Sequence, residues 1–417
     1  MKKVLVIAYY FPPLGLSGVQ RTLKFVKYLR EFGWQPTVLT VGETGYYAKD
    51  STLLREIDSS IEVIRTKSHD INSLFKSKDT VSLPRENIRK FMSRISDMIF
   101  IPDSKIGWKK HALHSADELF RREKFDVVFA TAPPQTALLI AADLKKKYGI
   151  PMVLDYRDSW VDYPFKTFPT PLHKLRHLHL ETSVLRSADA IVTASANIRR
   201  LMINRYDFLD EEKVVLIPQG FDEEDMNMEV HPRHDDVMRF TYSGLFYEDR
   251  TPHYFLEALH NVLERKPMLR EKIEAHFLGT FRPEHLKSVE RFGLSDRVHI
   301  HGYLSHKECV KFLLESDVLW VMMNDDQSTP GKIFEYIGTR KKILGCVPNG
   351  TMREIIYEAN GTCTDPDNVS EIERAIEYLF GQFLRRELRG ASAEVAKRYN
   401  RKYLTGQLAE ILSAVAK

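Results

Sequence analysis

Cysteine is scarce. Among 417 residues there are three, Cys309, Cys346 and Cys363, far apart and without a CxxC pair. That argues against a disulfide framework and a cysteine-built metal site, and it suits a reducing compartment. Long apolar runs are lacking too, since no stretch approaches the ~18 residues needed to span a bilayer. The opening MKKVLVIAYYFPP has the lysines and apolar run of a signal peptide. The run is only about eight residues and ends in Pro-Pro without a small-residue cleavage site, so it reads as a first strand. Charge of one sign is missing: 61 Lys and Arg face 57 Asp and Glu, a net +4, too mild to argue for nucleic acid. There is no GxGxxG, which disfavours a nicotinamide oxidoreductase. There is no HExxH and no EF-hand loop, so no catalytic metal is expected. The histidines of HKLRHLHLE (His173–Glu181) are expected to decorate a helix surface.

What is present is an ordinary globular mix, 43% hydrophobic and 28% charged. The length favours two or three domains with large cores. The chain alternates apolar runs with helical periodicity. Lys3–Ala8 is followed by a Gly/Pro loop, by Val19, Leu23, Val26 and Leu29 at helical spacing, by a stop at Gly33, and by a second apolar run to Val41. The rhythm recurs at Ile61–Thr66, Phe125–Thr131, a helix over Gln135–Tyr148, Pro151–Tyr156, Ala188–Ser195 and Lys213–Gly220. The charged interval Asp222–Asp236 reads as a linker. Alternation then resumes with Met238–Gly244, a helix over Pro252–Arg265, Ile273–Gly279, RVHIHGY, DVLWVMMN and KKILGCV. Two parallel-sheet α/β halves are predicted. Residues 67–110 break the rhythm. They read as an inserted helical excursion or, because bulky apolar residues interleave with basic ones over 88–110, as a lip touching a membrane or a lipid-linked substrate.

The densest chemistry lies in STPGKIFEYIG. Thr329 is placed as an N-cap, Pro330 as the first helical residue and Gly331 where a ligand can approach the backbone. First-turn amides suit a phosphate. Lys332 and Glu335, three apart, share a face. That sets a cation for diphosphate beside a carboxylate for hydroxyls, as a sugar nucleotide requires. The bland alternative is a surface ion pair worth less than ~1 kcal/mol. A second cation tips the balance: Gly244 ends a strand and Arg250 follows it, and ligands of open α/β sheets sit beyond carboxyl ends of strands. In the first half, Gly15 and Gly18 precede a helix whose first turn carries Arg21. Asp155, Arg157, Asp158 and Trp160 follow another strand. A tight turn and structural ion pairing are the bland readings there.

Taken together, FPPLGLSGVQR, DYRDSW, ADAIVTAS with IPQGFD, YSGLFYEDR, HIHGYLSHKE, SDVLWVMM and KIFEYIG resemble the retaining glycosyltransferase family 4, in the subgroup with a KxFEY donor motif. The likeness covers nearly the whole chain. It implies the GT-B fold, with two Rossmann-like parallel-sheet domains facing each other across a cleft. The expected domains are an acceptor-side domain over 1–221 (with the 67–110 insertion), a nucleotide-sugar domain over 237–398, and a helix over 399–417 packing back on the first. It implies Arg250 and Lys332 as the diphosphate cations and Glu335 as the ribose carboxylate. Gly302, Tyr303 and Leu304 would read the base, and Gly15 and Gly18 would meet the donor. Gln327, Ser328, Thr329, Pro330, Gly331 and Ile333 complete the donor segment, with Gln327 where the family carries the first glutamate of Glu-x7-Glu. Arg157 stands in place of a family histidine, beside Asp158, and both are assigned to catalysis. Arg21, Asp155 and Trp160 are assigned to the acceptor side.

The implied activity is transfer of a sugar, with retention, from a UDP- or GDP-linked donor to a glycan or lipid-linked hydroxyl acceptor, in bacterial surface polysaccharide synthesis. No cofactor or metal is implied beyond the donor substrate, and no nucleic-acid partner. The expected setting is cytoplasmic, with peripheral contact at the inner face of the membrane. The alternatives are a sugar-nucleotide epimerase of the same fold and a non-catalytic two-domain ligand-binding protein.

Overall fold

The computed structural model describes residues 1–15, 17–45, 49–70, 95–163, 166–230, 235–246, 250–325 and 329–416. The chain divides into two compact units: Met1–Gln219 with Arg401–Lys417, and Gly220–Asn400.

The first unit is built on seven parallel strands: β1 (Lys2–Ile7), β2 (Trp34–Val41), β3 (Glu62–Thr66), β4 (Val127–Ala132), β5 (Met152–Tyr156), β6 (Ala190–Thr193) and β7 (Val214–Leu216). Their order is β3-β2-β1-β4-β5-β6-β7. Strands β4 and β5 are buried along their whole length. Helices cover both faces of such a sheet, which is why these strands read as unbroken apolar runs rather than alternating ones. Where 67–110 rejoins the fold, Trp108 is buried and donates its indole N–H to Thr66 Oγ1 at 2.7 Å. Residues 71–94 of that insertion lie outside the described residues. The helix Arg401–Val415 buries Leu404, Leu408 and Leu412 in this unit's core, and Trp34 Nε1 donates to Ser413 Oγ at 3.3 Å.

The second unit holds β8 (Met238–Ser243), β9 (Ile273–Leu278), β10 (Val298–Gly302), β11 (Val318–Met322), β12 (Lys342–Cys346) and β13 (Thr362–Thr364), all parallel. Their order is β10-β9-β8-β11-β12-β13. Both sheets thus run outward from their first strand in two directions. Each has one switch point, between β1 and β4 and between β8 and β11, where a crevice opens beyond the strand ends.

Three local expectations are revised. The interval after Asp222 is not all irregular: Asp222 Oδ1 accepts from Glu224 N–H and caps a short helix, Glu223–Met226. Strand β13 had no forecast in the sequence, being three residues long and only partly apolar. The helix carrying Lys332 begins at Lys332, with Gly331 and not Thr329 at its cap, and ends at Thr339. Pro330 and Gly331 instead form a tight turn, their carbonyls accepting from Ile333 and Phe334 N–H.

Candidate functional site

The switch point of the second sheet gathers most of the predicted donor residues. Three glycines with positive φ stand side by side where β8, β9 and β10 end: Gly244, Gly279 and Gly302. Gly244 N–H donates to Leu278 O at 2.7 Å, and Gly279 N–H to Gly302 O at 2.6 Å. A Cβ on Gly279 would lie 2.6 Å from Gly244 O, so only glycine lets the loops close this tightly. A Cβ on Gly244 would meet Lys332 Nζ at 3.0 Å. The absence of that methyl is therefore what admits the ammonium group to the strand end.

Lys332 Nζ lies 3.7 Å from the centroid of the Tyr242 ring, a cation–π contact. Burial and the charge of nearby Arg250 hold the Lys332 ammonium down to about 7, with Cys309 and Glu335 pulling it back only in part. Arg250 is itself buried, and its Nη2 reaches Asp325 Oδ2 at 3.4 Å. Two cations thus share one low-dielectric corner and repel each other. Such a corner is primed for a polyanion, which would relieve the repulsion and raise the lysine pKa.

Glu335 sits one helical turn on, with His306 Nδ1 at 3.9 Å from its Oε1, while His306 Nε2 approaches Asp225 Oδ2 at 3.2 Å. The helix carrying His306 starts with a capping box, Ser305 and Glu308 each satisfying the other's backbone N–H. Below, Tyr336 OH accepts from Ser243 N–H at 2.8 Å and ties the helix to β8. Burial, with the Glu335 charge behind it, pushes the Cys309 thiol up to about 12, so it stays protonated at this site. Ile333 is buried beneath, while Thr329, Pro330, Gly331 and Leu304 are half-buried and Tyr303 is exposed. Gln327 and Ser328 lie outside the described residues.

In the first unit the corresponding switch point is spanned by Arg157. Its guanidinium donates to Gly18 O, Pro133 O and, at 3.3 Å, Ala132 O, linking the helix after β1 to the loop after β4. All three acceptors are neutral carbonyls. A Cβ on Gly18 would lie 2.9 Å from Arg157 Nη1. Asp158 is half-buried beside it. Burial raises its pKa and the Arg157 charge offsets this only in part. Gly15 is buried in the preceding loop.

The acceptor-side assignments of Arg21, Asp155 and Trp160 do not survive. Arg21 and Asp155 are fully buried against each other, with Arg21 Nη2 2.7 Å from Asp155 Oδ1. Arg21 also donates to Ile217 O and Pro218 O at 2.9 and 2.8 Å, and Asp155 accepts from Thr131 Oγ1 at 2.7 Å. This network ties β5 to the first helix and to the chain after β7. Trp160 is buried and donates to His177 Nδ1 at 2.9 Å. That bond also corrects the view of the His173–Glu181 histidines as surface decoration, since His177 is buried. Two site members went unnoticed in the sequence. Gly279 could have been flagged as a second strand-ending glycine, but Asp325 gave no signal, because nothing local ties it to Arg250.

Two units, each a parallel sheet with one switch point, define the class as a doubly wound α/β protein. Residues 18–220 match the family model described as "Glycosyl transferase 4-like domain", and residues 238–382 match "Glycosyl transferases group 1". Together these identify a glycosyltransferase with the GT-B fold. Among curated proteins none matches the chain by sequence. Among solved structures, Anabaena HepE in complex with UDP and glucose is 16% identical, with a TM-score of 0.66 and 99% and 100% of the two chains covered. Sucrose-phosphate synthase from Thermosynechococcus elongatus is 13% identical, with a TM-score of 0.64 and 99% of each chain covered. A glycosyltransferase from Rickettsia africae ESF-5 is 15% identical, with a TM-score of 0.64 and 100% and 99% covered. At these identities the likeness is one of fold. No helix among the described residues is long and apolar enough to cross a membrane.

Proposed function

We propose that the protein transfers a sugar from a UDP-linked donor to a hydroxyl of a glycan or lipid-linked acceptor, with retention at the anomeric carbon, in surface polysaccharide synthesis. The observation that carries this reading is the pairing of a half-buried lysine, Lys332, with a buried arginine, Arg250, beside Gly244 at the switch point of the second sheet. As the glycosidic bond to the leaving diphosphate lengthens, negative charge grows on its oxygens. Two fixed cations in a low-dielectric corner stabilise that charge without reorganising. Glu335 would accept from the ribose hydroxyls, its carboxylate steadied by His306. Lys332 and Arg250 would supply the positive charge for this step. The complex of HepE with UDP supports the choice of nucleotide. Incubation with a panel of UDP-sugars and oligosaccharide acceptors, read by proton NMR of the new anomeric centre, is the test. A glycoside of the donor's own configuration is expected; an inverted product, or an isomerised donor with no glycoside, overturns the reading.

The depressed Lys332 adds a pH signature. Only the ammonium form attracts phosphate, so UDP affinity is full below about pH 7 and declines as the pH rises through that value. The bound diphosphate raises the lysine pKa, so binding at pH 8 takes up a proton, by about 0.5–1 equivalent from linkage. Calorimetry in two buffers of unequal ionisation heat measures this uptake. Lys332→Arg should abolish it. Zero uptake in the wild type would remove Lys332 from the phosphate.

A further inference from the structure

Strands β9 and β10 carry a second cluster. Glu274 and His276 are two apart on β9, and His299 and His301 two apart on β10. His276 and His299 are direct partners across the parallel ladder. Residues two apart in a strand point to the same face, so the sheet itself brings four donor side chains together. His276 Nε2 is 3.3 Å from Glu274 Oε2, His299 Nε2 is 3.8 Å from Glu274 Oε1, and His276 Nδ1 is 3.0 Å from His301 Nε2.

We propose that Glu274, His276 and His299 form a binding site for a borderline divalent transition ion, Zn2+ or Ni2+, with His301 fixing the His276 ring. One ligand atom from each of the three residues already lies within 4.8 Å of the others. Tetrahedral coordination at about 2.0–2.1 Å places ligand atoms roughly 3.3 Å apart. Only small side-chain rotations separate the cluster from that geometry. Two imidazoles and a carboxylate suit zinc or nickel, whereas magnesium and calcium prefer all-oxygen shells.

Two further observations favour an ion. Among the described residues, His299 Nε2 is buried with no hydrogen-bond partner, although it faces Glu274. The supporting shell is in place as well. Ligating histidines hold their second ring nitrogen on a fixed partner, which here is His301 on His276 Nδ1. Glu274 Oε2 is steadied by Arg239 Nε at 3.3 Å. Arg239 also pairs with Asp235 at 3.1 Å and Arg297 with Asp296 at 3.4 Å, with Arg297 Nη1 standing off Glu274 Oε1 at 3.9 Å. Because β10 is the outer strand of its sheet and the His299 side chain is 39% exposed, an ion can reach the cluster from solvent. The competing arrangement is a proton-sharing chain from His301 through His276 to Glu274, serving only cohesion. It leaves His299 Nε2 unsatisfied.

The test uses tag-free full-length protein stripped with a chelator and titrated with ZnCl2, NiCl2 or MgCl2 against a chromophoric competitor. One equivalent of zinc or nickel, and no magnesium, is expected. His299→Gln should weaken the transition ions by at least about tenfold while the metal-free melting temperature stays unchanged. Co2+ should give visible ligand-field bands in the wild type that zinc displaces, a readout independent of any variant. Substoichiometric zinc, equal affinity in His299→Gln, or no displaceable cobalt spectrum would leave only the hydrogen-bonded chain and overturn the site.

Discussion

Replacing Lys332 by alanine should lower sugar transfer by about 10²–10³-fold, the usual loss when one preorganised charge-stabilising group is removed. The loss should fall on kcat more than on donor KM, because the lysine's advantage grows as charge moves onto the departing diphosphate. Stability should change little. The alanine variant loses the contact of Lys332 with the Tyr242 ring, worth about 0.5–2 kcal/mol. It also loses the cost of holding an ammonium group beside Arg250 in a buried corner. These oppose each other, so a melt within a few degrees of wild type is expected alongside the kinetic collapse. Transfer persisting within a few-fold would show that the second sheet's crevice binds something other than the phosphates.

The second large effect lies in the first unit and concerns folding. Arg21→Met should destabilise the protein by about 3–5 kcal/mol, because Asp155 would be left buried without its charged partner. Thr131 would then be the side chain still donating to it. Arg21→Met combined with Asp155→Leu should recover much of the loss, since replacing both members of a buried pair with apolar residues is often neutral. Urea unfolding of the two variants measures the difference. If Arg21 bound the acceptor instead, the single variant would lose activity with an unchanged unfolding midpoint.

That pair also shows how far the sequence could be read. The strand–helix rhythm and the two halves were legible, because parallel strands covered on both faces must be continuously apolar. That Lys332, Glu335 and Arg250 come near one another beside Gly244 was legible because charged residues crowd around glycine just after apolar runs. Arg21 and Asp155 followed the same rule and misled. Asp155 lies within β5, paired with Thr131 and Val192 in the sheet, one residue short of the strand's end. Sequence spacing does not reveal that single-residue difference between a crevice and a core. Trp160, assigned to the acceptor side, and His177, assigned to a helix surface, failed for a related reason: sequence spacing does not show that the indole N–H and the imidazole meet in the interior. The Glu274–His301 cluster was invisible because its members belong to two strands whose register only the sheet defines. The helix start slipped from Pro330 to Lys332 because Pro330 and Gly331 suit a turn as well as a first helical turn.

The helix Arg401–Val415 belongs to the first unit although residues 220–400, which make up the second, precede it in the chain. During synthesis the amino-terminal half therefore waits. Until those late residues emerge from the ribosome, the surface that will receive Leu404, Leu408 and Leu412 stays wet, and the indole of Trp34 lacks Ser413. A gene fragment ending near Gln219 should accordingly yield insoluble or chaperone-bound material, while one that grafts residues 401–416 onto it through a short flexible tether should yield a soluble lobe.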